Sequence, residues 1–189
     1  TYVLEKWHYA SPSMDDAFSM AVYTKFIDGV DPIKRYFLEQ DIQEFEQYKL
    51  QIDDQLKIKD LSFFNLVYSR LVLRMEESKT LYQNALSSAF DYSKDEIINV
   101  DYDASSYATT KKELQERWRK QLKFSTISTY YDFLEEKQTA DQRKAAALKE
   151  SKKYIASVNE DLTDKELEEK SRTSTQTNLE EYYDFTDDL

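Results

Sequence analysis

The sequence predicts an all-α fold, an irregular multi-helix domain around one long central helix at about residues 61–90. Three observations carry that expectation. The 189 residues include one glycine and two prolines, so the usual punctuation of strands, hairpins and phosphate-binding loops is scarce. Apolar side chains recur at i, i+3 and i+4 spacing. Those runs open repeatedly on Ser, Thr or Asp, the side chains that cap helix N-termini. Apolar residues make up 40% of the chain and aromatics 14%, enough for a core at this length.

Taken in order, Ser13 followed by Asp16 predicts a capped helix to about Ile27, with Phe18, Val22 and Phe26 on one stripe. Gly29 stands where a helix C-cap wants a positive φ. Asp31-Pro32 reads as N-cap and first position of a short turn through Tyr36-Phe37-Leu38. Asp41 with Glu44 opens a helix that buries Ile42, Phe45, Ile52 and Leu56. Asp60 caps the expected longest helix, Leu61 to about Phe90, about 45 Å long at ~1.5 Å per residue. Its stripe is Phe63, Val67, Leu71, Met75, Tyr82, Leu86 and Phe90. The first half is apolar on most faces, with Phe64, Leu66, Tyr68, Val72 and Leu73 added, so it is expected to be covered all round. Leu71→Asp is accordingly expected to unfold the domain.

Residues Asp91–Ala108 break the period and read as an extended connection, anchored by Ile97, Ile98 and Val100. Thr110 with Glu113 is a capping box, followed by Leu114, Trp118 and Leu122 on one face. A kink at Ser125-Thr126 would carry this helix on through Ile127, Tyr131 and Leu134. Thr139 with Gln142 and Thr163 with Glu166 are further capping signals, while apolar residues thin to Leu148, Ile155, Val158 and Leu162. Three segments result: a helical core at 1–138, a polar helical insertion at 139–170, and 171–189 as a linker and truncated start of the next segment. The linker is Ser171–Thr177, and the acidic Glu180–Phe185 run opens a further helix. No repeat at a fixed period is present.

Net charge −11 argues against nucleic acid or an anionic membrane as partner. The absence of cysteine excludes disulfides and thiol catalysis. No apolar run approaches the ~20 residues of a membrane span. A start at Thr1 and an end in mid-pattern at Asp188-Leu189 suggest a piece of something longer. One histidine cannot supply a di-iron site. Asp101-Tyr102-Asp103-Ala104-Ser105 opens like a calcium loop, but Ser106 stands where that loop needs Gly and Lys112 where it needs a bidentate Glu. His8, between Trp7 and Tyr9, reads as a packed, hydrogen-bonded residue. The phosphate loop, dinucleotide fingerprint and nucleophile elbow are all missing, and no serine is marked as activated. The pairs Asp15-Asp16, Asp53-Asp54 and Glu76-Glu77 read as surface charges, since helix neighbours point about 100° apart. The cluster Arg117, Arg119, Lys120 and Lys123 reads as the wet side of the Trp118 helix, with a docking patch as the lesser alternative. These readings assign no catalytic, cofactor-binding or metal-binding residue and describe a helical binding or structural module.

Between His8 and Phe124 a second kind of pattern is present. It runs through His8-Tyr9, Asp15-Asp16-Ala17-Phe18-Ser19, Val22, Phe26, Asp31, Tyr36-Phe37-Leu38, Asp41-Ile42 and Phe45. It continues with Leu61-Ser62-Phe63-Phe64, Arg74, Tyr82, Ala85-Leu86, Phe90-Asp91-Tyr92, Glu113-Leu114, Trp118 and Lys123-Phe124. This order and spacing resembles the N-terminal helical domain of tail-specific proteases, also called carboxy-terminal processing proteases. Residues from about Glu135 to Lys170 are a longer, more polar insertion than that pattern has, and Gln176-Thr177-Asn178 returns to it.

The resemblance implies a non-catalytic part of a bacterial, periplasmic serine endopeptidase. Its Ser-Lys dyad and substrate-tail-binding PDZ domain would lie after Leu189. It implies a wall around that core, with the rest of the protease, unfolded or C-terminally exposed substrates and an adaptor lipoprotein as partners. A free-standing helical binding or adaptor protein is the second reading.

Overall fold

The structure, a computed structural model, describes residues 13–149, 159 and 162–187. His8 with Trp7 and Tyr9 lies outside the described residues, as do Ile155, Val158 and Asp188-Leu189. The fold is all-α. Among the described residues there are six helices and no strand: α1 (Asp16–Val30), α2 (Glu39–Glu46), α3 (Ile52–Lys57), α4 (Ser62–Leu86), α5 (Lys111–Lys149) and α6 (Asp164–Asp187). The chain groups into two compact units, 1–80 with 99–117, and 81–98 with 118–189. The longest helix is α5, with 39 residues against 25 in α4.

In the first unit, Asp15 rather than Ser13 caps α1, its carboxylate accepting from the Phe18 N–H at 3.0 Å. The buried stripe of α1 is Ser19, Tyr23 and Ile27, one position round from the expected Phe18, Val22 and Phe26. Val22 and Phe26 pack beside the core of Tyr23, Ile27, Phe37, Phe45, Ile52, Phe63 and Val67. Edge-to-face aromatic pairs tie that core, Phe37 to Phe45 at 5.2 Å and Phe26 to Phe64 at 5.0 Å. The Ser19 hydroxyl donates to Asp53 at 2.7 Å and accepts from the Asp53 N–H at 2.9 Å, so Asp53 is a buried tie between α1 and α3, not a surface charge.

Turns are built by carboxylates rather than glycine. Gly29 lies inside α1, and positive φ falls on Lys34 (49°) and Lys59 (61°). Asp31 is not the N-cap of a following helix but the C-cap of α1, its N–H donating to the Ile27 carbonyl at 3.1 Å. Its buried carboxylate accepts from the N–H groups of Arg35, Tyr36 and Phe37 at 2.9, 3.0 and 2.9 Å, and its carbonyl from the Lys34 N–H at 3.1 Å, which together shape residues 31–37. Elsewhere Asp60 accepts from the Ser62 N–H, Asp91 from that of Ser93 and Asp101 from that of Ala104.

Asp41, in the first turn of α2, is wholly buried. It accepts from the Leu38 N–H at 2.9 Å and from Nε and Nη2 of Arg74 on α4, both at 2.9 Å, and it also pairs with Arg70. Glu44 takes the other end of Arg70 at 2.6 Å, and Glu77 bridges Arg74 at 2.7 Å to Lys111 at 2.8 Å. Burial pushes the Asp41 carboxyl up, but hydrogen bonds from Arg74, Leu38 and Arg70 outweigh it and hold the carboxyl below its ordinary range. Glu77 likewise belongs to a network and is not an isolated surface charge.

On α4, Phe63, Val67, Met75, Tyr82 and Leu86 are buried as expected, and Leu71 is only half-buried. The first half is not covered all round: Leu61, Tyr68, Val72 and Leu73 are exposed. The connection is anchored by Ala108, which bridges Leu38 and accepts from the Glu39 N–H at 2.9 Å. Of the expected anchors Ile97, Ile98 and Val100, Ile97 and Val100 face solvent and Ile98 is half-buried.

The second unit packs Tyr82, Leu86, Trp118, Leu122, Leu167, Leu179 and Tyr183. Tyr82 stacks on Tyr183 at 5.4 Å. Arg172 donates to the Leu86 carbonyl at 2.7 Å and so caps the end of α4 four residues before the expected Phe90. The Ser171–Thr177 run is helix, not linker. Ser171 and Thr175 are buried, and their hydroxyls donate four residues back, to Leu167 O at 2.6 Å and Ser171 O at 3.0 Å. Small side chains let α6 approach α5, where Thr126 meets Thr175 at 3.3 Å. Glu180–Phe185 ends this helix instead of starting another. The Thr163–Glu166 capping box forms, whereas Thr139 lies inside α5 and caps nothing.

Candidate functional site

Helix α5 runs without a break through Ser125-Thr126. At ~100° per residue, Trp118 and Leu122 lie on one face, and Lys120, Phe124, Ile127 and Tyr131 lie on roughly the opposite one. The first face is buried. The second lines an apolar groove of about 630 Å³ in the second unit. Its other walls are Tyr92, Ile97 and Ile98 of the connection and the start of α6, with Asp164, Lys165 and Glu168. Phe124 is 49% exposed and Ile97 84% exposed, so large apolar surface is left open here.

The basic cluster of α5 is not a free wet face. Arg117 donates to the carbonyls of Lys34 and Ser106 at 2.7 and 2.8 Å within the first unit. In the second, Arg119 and Lys123 both pair with Glu96, and Lys123 also donates to Asp91 O at 2.6 Å. Lys120 reaches Ile97 O at 3.2 Å. These bonds clamp residues 91–97 onto the helix and make one groove wall. Arg119, then Lys123, hold the Glu96 carboxyl down at about 2. Tyr92 donates to Glu168 at 3.4 Å beneath the Lys123 ammonium, 5.5 Å from its ring; burial, then the Glu168 charge, push its hydroxyl up.

The calcium-like Asp101–Ser105 stretch closes on itself, with Ser105 donating to Asp101 O at 2.7 Å and accepting from Asn99 at 3.0 Å. Among the described residues no group of three or more His, Cys, Asp or Glu is placed to hold a metal ion, and no helix is long and apolar enough to cross a membrane.

The family model for the tail specific protease N-terminal domain matches residues 1–186. This chain belongs to that family. A tail-specific protease of Haemophilus influenzae is 27% identical over 126 residues, which cover 66% of this chain and 18% of that protein. The chain therefore spans less than a fifth of the length of that relative.

In this tail-specific protease N-terminal domain, several residues that carry the sequence resemblance are structural. Asp31 organises a loop, Asp41 and Arg74 form a buried pair, Trp118 fills the second core, and Lys123 clamps the groove wall. The groove itself went unread in the sequence. Its signal was the second stripe Phe124, Ile127, Tyr131, which the expected kink had merged with the Trp118 face.

Proposed function

We propose that this domain is a non-catalytic accessory part of a longer, periplasmic serine protease, walling a PDZ-bearing core and contributing to the binding of substrate or adaptor. In this reading the Ser-Lys dyad and the PDZ domain belong to sequence outside these 189 residues. The observation that carries it is the uncovered apolar face of α4. Tyr68 and Val72 lie one turn apart on α4 and are exposed, as are Leu73 and Leu61, the residue just before the helix. A chain with this much burial capacity leaves such a patch open where another surface covers it.

The test compares three proteins on an unfolded substrate with an apolar C-terminus: the full-length protease, the same protein lacking residues 1–189, and this chain alone. Cleavage by the first, none by the third and impairment of the second support the accessory role. Full activity of the deletion, or cleavage by the chain alone, refutes it. Tyr68→Glu with Val72→Glu is expected to impair the full-length enzyme while leaving this chain folded.

A further inference from the structure

We propose that the groove of the second unit binds an extended peptide segment that combines apolar with acidic side chains. The proposal deepens the accessory reading above and rests on it. Apolar side chains have a receptacle in Phe124, Ile127, Tyr131 and Ile97. Its volume, about 630 Å³, lies within the ~300–1,000 Å³ of sites that enclose ligands.

The charge pattern selects the flanking chemistry. Glu96 is matched by Arg119 and Lys123, and Glu168 by Arg172 and the Tyr92 hydroxyl. Asp164 sits in the first turn of α6, where the helix dipole favours an anion. The cations are not matched in the same way. Lys120 reaches only a carbonyl, and the Lys165 ammonium has no ion-pair or hydrogen-bond partner among the described residues. In a chain of net charge −11, two lysines without carboxylates beside one apolar groove are complementary to carboxylates on an incoming segment.

The backbone argues for an extended occupant. Residues 95–100 run without helix or strand, and among the described residues no backbone hydrogen bond uses the N–H groups of 96–98. Those residues line the groove and offer main-chain pairing to a peptide laid beside them.

The experiment is fluorescence anisotropy of this chain with a short labelled peptide alternating leucine and glutamate. Controls alternate leucine with lysine, and serine with glutamate. Saturable binding of the first peptide alone, weakened by salt, is expected. Lys120→Glu with Lys165→Glu should weaken it about tenfold or more, as two rim attractions become repulsions. Ile97→Ser, at a largely solvent-exposed position, should weaken it without changing the circular dichroism. Equal binding of both leucine peptides, no binding, or indifference to these substitutions would overturn the proposal. So would self-association of the chain abolished by Ile97→Ser, which would make the occupant a second copy. Peptide binding is read on the chain itself and proteolysis on the full-length enzyme, so failure of one is distinguishable from failure of the other.

Discussion

Asp41→Ala removes the acceptor at the centre of the first unit's ion network. The carboxylate has no exposure and takes four donors: the Leu38 N–H, two nitrogens of Arg74, and Arg70. Arg70 keeps Glu44, but Arg74, itself buried, is left with Glu77 alone, and the Leu38 N–H loses its partner. Breaking a buried pair by deleting one member costs about 3–5 kcal/mol, because the remaining charge stays desolvated. At roughly 2–4 °C per kcal/mol for a chain of this size, the melting temperature should fall by roughly 6–20 °C. Urea unfolding followed by far-UV circular dichroism measures the loss. A double-mutant cycle with Arg74→Met isolates the pair, and the double variant should recover part of the single-mutant loss. A loss under about 1 kcal/mol, the value of an exposed ion pair, would refute the reasoning.

Three further outcomes are expected. Trp118→Ala empties a fully buried site and should destabilise by ~3–5 kcal/mol in the same assay. Tyr107→Phe should leave stability unchanged or raise it by about 1 kcal/mol, since the Tyr107 hydroxyl is buried without a hydrogen-bond partner. The third concerns pH. The folded Asp41 carboxyl titrates below its ordinary value, so its stabilisation is full above that value and lost as pH falls through the depressed one. Burial raises the Asp31 carboxyl despite hydrogen bonds from Phe37, Arg35 and Tyr36, so its contribution is full below the ordinary value and lost as pH rises through the raised one. On acidification, urea midpoints should therefore converge between wild type and Asp41→Asn and diverge between wild type and Asp31→Asn.

Periodicity found the helices wherever one face alone is apolar. The stripe from Phe63 through Val67, Met75 and Tyr82 to Leu86 was legible because those positions meet the core at a steady spacing. It failed where burial is carried by polar atoms. Ser171 and Thr175 read as linker because hydroxyls signal solvent, yet each hydroxyl is satisfied by its own helix. Asp31, Asp41 and Asp53 read as caps or surface charges because partners 4 to 34 residues away do not register in a local window. Leu71→Asp was expected to unfold the domain, but Leu71 is half-buried; Val67, wholly buried, is the position where an aspartate would do so. The groove is hidden in the sequence because a helix with two apolar faces has a weak net pattern, and because an isoleucine such as Ile97 in a connection reads as an anchor.

The carboxylate-built turns also give this domain an adjustable electrostatic surface. Asp60, Asp91 and Asp101 each hold a turn by accepting a backbone N–H on one carboxylate oxygen, and Asp91 also pairs with Lys94. Asparagine offers the same oxygen, so Asp→Asn at all three would move the net charge from −11 by three units while every turn keeps its bond. Solubility and long-range attraction to charged partners depend on that total. A protein engineer could therefore shift the isoelectric point of this domain at its corners and leave its helices untouched, an option that glycine turns do not offer.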